Sequence, residues 1–313
     1  MLKPSLSSQP KILICGFLLI ATFELGHSCS AANSWQQTND PLTLERDVPI
    51  ERELSGGQAH TYRIVLSAGQ YARVQVAQRG IDVVLTGKGP DGKAFASVTL
   101  RYGTEGVEPL MIVADTAGEY ILKVSTANPK AAAGRYEAKI SELRAATEQD
   151  RSRAKAQMLC YEALNLSFET PPEAKRKALR LYEEALRVWQ QIPEPLWESA
   201  VLFRLGRLQI SLTEFKQAHD YFNRAVVATK AIGDRKGEAS AQSGVCEALH
   251  YLGDARGKAV CLDVLIGIYR ELGSRLDVGK ALSNKAVTFN SLGDYQAALQ
   301  SARRCWSRAL STR

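Results

Sequence analysis

The chain has 313 residues, 45% of them hydrophobic and 23% charged, with a formal charge of +7 at neutral pH. That is enough chain for two domains with cores of their own, in the composition of an ordinary folded protein. Positive residues are interleaved with Asp and Glu, as over 173–187. Neither a one-signed basic stripe nor a nucleic-acid reader motif is present, so no nucleic-acid partner is expected.

Residues 1–32 carry the three parts of a secretory leader. Lys3 and Lys11 flank the apolar run Ile12–Phe23, and Ser28, Ser30, Ala31 and Ala32 follow it. Twelve residues rise about 18 Å as a helix, short of a hydrocarbon core of ~30 Å, so no lasting membrane span is expected. Ser30 and Ala32 place cleavage before Asn33. A lipid anchor at Cys29 is the weaker alternative, because Gly26-His27-Ser28 lacks the apolar residue wanted three before the cysteine. The expected address is the periplasm or the exterior.

Over 41–143 the hydrophobic pattern has period two. Tyr62, Ile64 and Leu66 share a face, as do Ala72, Val74 and Val76. Ile81, Val83 and Leu85 follow, then Val98, Leu100 and Tyr102, then Tyr120, Leu122 and Val124, and finally Tyr136, Ala138 and Ile140. Alternation buries one face and wets the other, as in an antiparallel sheet. Turns punctuate the runs at Gly56-Gly57, Gly69, Pro90-Asp91-Gly92, Gly118 and Gly134. Seven or eight short strands in this span predict a jelly-roll-like β-sandwich.

From 148 to 313 the period is helical. Ala178, Leu181, Tyr182, Ala185, Leu186 and Trp189 form one apolar stripe; Leu262, Leu265, Ile266, Tyr269 and Leu272 form another. Gly233, Gly253, Gly273 and Gly293 recur every twenty residues, with Thr213 and Pro193 at the two preceding steps. A glycine ends one helix in the left-handed conformation and the Asp or Ser behind it caps the next. Eight helices, from 148–168 to 295–310, are predicted as four antiparallel pairs in an α-solenoid.

Two residue patterns carry resemblances. Leu202, Leu205 and Gly206, then Glu214, Phe215, Ala218, Phe222 and Ala225, resemble the tetratricopeptide repeat. Ala286, Phe289, Gly293-Asp294-Tyr295, Ala298, Ala302 and Cys305 repeat the pattern. The forty-residue step is similar to the long-helix variety of that repeat. The β half, through Gly69-Gln70-Tyr71, Gly80-Ile81-Asp82-Val83, Pro90-Asp91-Gly92 and Gly118-Glu119-Tyr120, resembles the leading domain of bacterial tetratricopeptide proteins. Many of those end in a CHAT module, a caspase-like peptidase. The resemblance implies a short relative, or the regulatory front of a truncated or split CHAT-type peptidase, since no histidine–cysteine pair carries over before Arg313.

No esterase elbow, zinc helix, phosphate loop or dinucleotide fingerprint occurs, so no enzyme activity, cofactor or metal is expected. His60 reads as a surface or edge-strand residue. Cys160, Cys246, Cys261 and Cys305 read as core filler and not as disulfides, from their wide spacing. Cys246 and His250, with Cys261, lack an oriented third partner for zinc or thiol chemistry, and Cys246 takes the small crossing position that matches Gly206 and Ala286.

In a tetratricopeptide array the first helix of each pair lines the concave side. That register implies a peptide- or protein-binding groove of Phe203, Arg207 and Ile210, then Ser243, Glu247 and His250, then Ser283, Val287 and Asn290. The apolar residues Cys305, Trp306 and Leu310 on the last helix predict self-association through that end or marginal order there.

Overall fold

The computed structural model describes residues 41–100, 103–126 and 128–310, the side chains of 305–310 excepted. The leader at 1–32 with Cys29, the residue Tyr102, and the side chains of Cys305, Trp306 and Leu310 lie outside the described residues.

Among the described residues nine strands come first. β1 (Leu42–Thr43), β3 (Ala59–Leu66), β8 (Gly118–Ser125), β5 (Val84–Lys88) and β6 (Ala94–Val98) form one sheet in that spatial order. β2 (Ile50–Leu54), β9 (Gly134–Ala145), β4 (Gln70–Arg79) and β7 (Glu105–Val113) form the other. All long pairings among the described residues are antiparallel; the short β1 runs parallel to β3, and Arg46 makes an isolated parallel bridge to Ile140. The described residues of the alternating sets are buried between the sheets, including Tyr62, Val74, Leu85, Leu122 and Tyr136. This is the β-sandwich that period two requires.

The same periodicity corrects the reading of His60. It stands two residues before Tyr62 on the inward face of β3, which lies between β1 and β8, and it is buried. Its Nδ1 is 2.6 Å from the Tyr136 hydroxyl, which lies 2.6 Å from that of Tyr62. Burial, with Arg52 nearby, pushes the His60 pKa down, so the ring favours the neutral form.

Eight helices follow: α1 (Glu148–Ser167), α2 (Pro172–Gln191), α3 (Pro195–Ser211), α4 (Phe215–Ala231), α5 (Arg235–Tyr251), α6 (Ala255–Glu271), α7 (Arg275–Ser291) and α8 (Tyr295–Leu310). Each helix packs on the next, and α3 also touches α5. This is a tetratricopeptide-type array of α-hairpins. Gly233, Gly253, Gly273 and Gly293 all sit at positive φ between 67° and 76°, the left-handed turn that the twenty-residue recurrence demands. Thr213 adopts the same conformation, φ 62°, without the freedom of glycine. Asp234, Asp254 and Asp294 cap the following helices through the main-chain N–H three residues on. Ser274 does not: its hydroxyl donates to Asp277 at 2.6 Å. The small crossing position also shifts. Gly206 of α3 and Gly244 of α5, not Cys246, clasp the ring of Phe222 in α4; a Cβ on either glycine would come within 2.6 or 2.5 Å of it.

The strands and the first helices share one core. A single buried apolar cluster runs from Leu44 and Ile140 in the sandwich to Ala156, Tyr182, Trp189, Trp197 and Leu205 in the helices. A second, around Phe222, Val245, Leu262 and Leu282, fills the later hairpins. Polar contacts make the first junction specific. β7 is the outer strand of its sheet, and Gln157 of α1 completes that edge. Its side-chain amide accepts from Met111 N at 3.0 Å and donates to Met111 O at 2.8 Å. A bulge opens β4–β9 beside Arg73, where the Ser141 hydroxyl satisfies the Arg73 carbonyl. The Arg73 guanidinium then reaches Glu194, at the N-cap of α3, in a bidentate pair of 3.0 and 3.1 Å. Arg153 of α1 meets the same carboxylate at 3.1 Å. Burial opposes the Arg73 charge, but the Glu194 hydrogen bonds more than offset it and raise the Arg73 pKa.

Two outcomes follow from this architecture. Glu194→Ala leaves the largely buried Arg73 guanidinium without its carboxylate, while Arg153 keeps Asp150 at 3.3 Å, and is expected to cost about 3 kcal/mol, measured from the urea midpoint. Thr213→Gly relieves a left-handed β-branched residue and is expected to stabilise by about 1 kcal/mol, a rise in midpoint with the slope unchanged.

Candidate functional site

The first helices of successive hairpins, α3, α5 and α7, carry the residues implied by the repeat register. Phe203 is half-buried, its ring 5.6 Å from that of Phe222. Ile210 is half-buried and packs against the second core. Arg207 is exposed and forms an ion pair with Glu247, one first helix further on. That pair joins α3 to α5.

Beyond it, Ser243, Glu247 and His250 of α5 line a cavity of about 450 Å³. Its floor is α6, through Lys258, Leu262, Leu265 and Tyr269. Its far wall is the N-terminal half of α7, through Asp277, Lys280, Ala281 and Asn284. Ser283, Val287 and Asn290 are exposed on α7 but do not line this cavity. The hairpin geometry accounts for the difference. Helix α6 runs back across the space, so the cavity lies diagonally, joining the end of α5 to the start of α7. Counting forty residues from α5 follows equivalent positions along parallel helices, whereas the opening cuts across them.

The charged groups here are of both signs. Glu247 is held by Arg207, and Asp277 accepts from Lys280 at 3.2 Å. The Asp277 carboxyl is lowered chiefly by the Ser274 hydrogen bond, with Lys280 adding to it. Lys258 has no ion-pair partner among the described residues, and burial pushes its ammonium down. Sequence reasoning did not pick out Lys258, Lys280 or Asn284, because each lies off the register inherited from α3 and α5.

The cysteines need a correction. Cys246 and Cys261 are joined in a disulfide between α5 and α6, Cα–Cα 5.6 Å, and Cys246 lines the cavity. A separation of fifteen residues looks wide only along the chain. Each cysteine is seven residues from the Gly253-Asp254 turn, so the antiparallel hairpin sets them face to face. Symmetry about that turn was the signal available. Cys160, by contrast, is a free core residue, its thiol pushed up to about 12 by burial. Among the described residues no cluster of three or more His, Cys, Asp or Glu is placed to hold a metal ion. No helix among them is long and apolar enough to cross a membrane.

Comparison with known proteins follows this geometry. The tetratricopeptide repeat family matches residues 174–231, nearly all of α2 together with α3 and α4. No curated protein sequence matches the chain. Among solved structures, it is similar to BtubC from P. vanneervenii at 16% identity, over 51% of this chain and 65% of that one, TM-score 0.43. It is similar to the apo form of RapI at 14% identity, over 50% and 57%, TM-score 0.43. It is also similar to the pre-peptidase C-terminal domain of collagenase from Bacillus anthracis at 16% identity, over 33% and 95%, TM-score 0.27. The matched part thus spans less than two-thirds of the length of BtubC and of RapI.

The disulfide closes a short loop within one hairpin, and in the chain-entropy view that restricts the unfolded state. The double substitution Cys246→Ser with Cys261→Ser is expected to cost about 3 kcal/mol. The fall in urea midpoint that checks it should be matched by adding a reductant to the unchanged protein, and a reductant should not deepen it in the variant.

Proposed function

We propose that this is an exported, non-catalytic interaction protein that holds an extended peptide segment of a partner along the inner side of α3, α5 and α7. The observation that carries the reading is the run of polar side chains on successive first helices, the exposed Arg207, Ser243 and His250 with the half-buried Glu247, opening into the α5–α7 cavity. A tetratricopeptide-type array implies a protein partner, and donors and acceptors spaced along parallel helices suit the main chain of an extended peptide. The paired state of Glu247 and Asp277 favours holding over proton transfer, since both carboxylates are already engaged by cations. Export is supported by the leader composition of 1–32 and by the Cys246–Cys261 disulfide, which persists in oxidising compartments.

The test uses the protein taken from the exported fraction of its host. Its intact mass should correspond to a chain beginning at Asn33 with one disulfide formed. Arg207→Ala, His250→Ala and Asn284→Ala combined should weaken capture of the native partner at least tenfold while far-UV helicity stays unchanged. Equal capture by the variant would remove the groove from the account, and a mature chain retaining the leader would remove export.

A further inference from the structure

A second cavity, about 490 Å³, opens where the β-sandwich meets the first three helices. Its sandwich wall carries Asp82, in the connection from β4 to β5. Its helical wall carries Phe168, Tyr182, Phe203, Arg204 and Arg207. Arg207 also pairs with Glu247, which lines the α5–α7 cavity, so one ion pair links the two openings.

Asp82 is the unexplained group. Its neighbours Ile81 and Val83 are fully buried and pin the backbone, so the carboxylate is held where it stands. One carboxylate oxygen, Oδ1, is buried without a hydrogen bond, and the residue has no ion-pair partner among the described residues. Burial raises its pKa. Each guanidinium group of the helical wall is engaged elsewhere: Arg204 donates to the Thr99 carbonyl at 3.0 Å, and Arg207 is taken by Glu247. A desolvated carboxylate left unpaired is destabilising in the empty protein. It becomes favourable when a cationic donor enters from outside.

The rest of the wall suits such a donor. Phe168 stands 80% exposed at the end of α1, an unusual position for a phenylalanine, and the half-buried Phe203 contributes a second aromatic group, while Tyr182 backs the wall from within the core. Aromatic faces attract cations, more strongly where water is excluded. A carboxylate opposite aromatic rings recognises an organic cation better than it does a neutral or anionic group.

We propose that this cavity receives a lysine or arginine side chain of the bound peptide, its cationic head pairing with Asp82 beside the ring of Phe168. The proposal rests on the groove reading and extends it: the β-sandwich reads one side chain of the peptide that the helices hold.

The test needs no knowledge of the partner. N-acetyl-lysine N-methylamide and its norleucine counterpart, which has a similar stem and no charge, are titrated into the full chain and followed by amide NMR. The lysine probe should saturate shifts at Thr99 and Ser211, both cavity residues, at least tenfold more tightly than the norleucine probe. Asp82→Asn, which keeps the shape and removes the charge, should abolish that preference while the melting temperature holds or rises. Equal response to the two probes, or a preference surviving in Asp82→Asn, overturns the proposal. If the variant fails to fold, the comparison of the two probes on the unchanged protein still decides. A chain that captures its partner through Arg207, His250 and Asn284 yet treats the probes alike loses this inference and keeps the groove. One that prefers the lysine probe but is indifferent to those three substitutions loses the groove and keeps the cation site.

Discussion

The carboxylate of Glu194 stands where strand β4, helix α1 and the start of helix α3 come together, and Arg73 and Arg153 reach it from the first two. The group is largely buried, as are both cations, and among the described residues Arg73 has this carboxylate alone while Arg153 also meets Asp150 at 3.3 Å. Sharing one anion sets the distance of α1 from the sheet and the point at which α3 departs. Gln157 then completes the open edge of β7, and the apolar core passes from sandwich to helices without a break. Arg144, at the end of β9, adds a second tie to the capping-box carboxylate of Asp150. Burial alone would raise the Asp150 pKa, but the hydrogen bonds from Arg144 and Thr147 hold it well below the usual carboxylate range. A folded-state pKa held low makes this contact stabilising above the ordinary Asp value and lost as pH falls through the folded one.

Once α3 is placed, the repeat propagates. Each left-handed turn reverses the chain, and each small residue lets a neighbouring helix approach. Phe222 between Gly206 and Gly244 shows how closely: both glycines lie against the ring, so α3, α4 and α5 lock through one aromatic side chain. The inner surface is a by-product of this stacking. First helices are held apart by the second helices behind them, and the spaces that remain are the α5–α7 cavity and the opening beside the sandwich. These spaces therefore arise from the same spacing that gives the array its core. The Cys246–Cys261 bond ties the floor of one such space to its wall.

Period two over the strands, period 3.6 over the helices and the twenty-residue return of glycine follow from local sterics and from which side of an element meets water. For that reason the sandwich, the eight helices and their turns were legible in the residues alone. His60 was legible too, by extending the alternation of Tyr62 and Ile64 one step back. The disulfide was accessible only after treating α5 and α6 as a folded hairpin and measuring from its turn.

What tertiary structure alone decided are the contacts between residues distant in the chain with no period relating them. Glu194 with Arg73, Gln157 with Met111 and the sharing of one cavity by Asp82 and Phe168 depend on how a sheet and a helical array are seated together. So does the diagonal cavity that takes Lys280 and Asn284 and leaves out Ser283, Val287 and Asn290. Local propensity sets what each segment becomes. Which side chains from separate segments then face one another is set by packing, through shape and the need to pair every buried charge, and that information is carried by the whole fold.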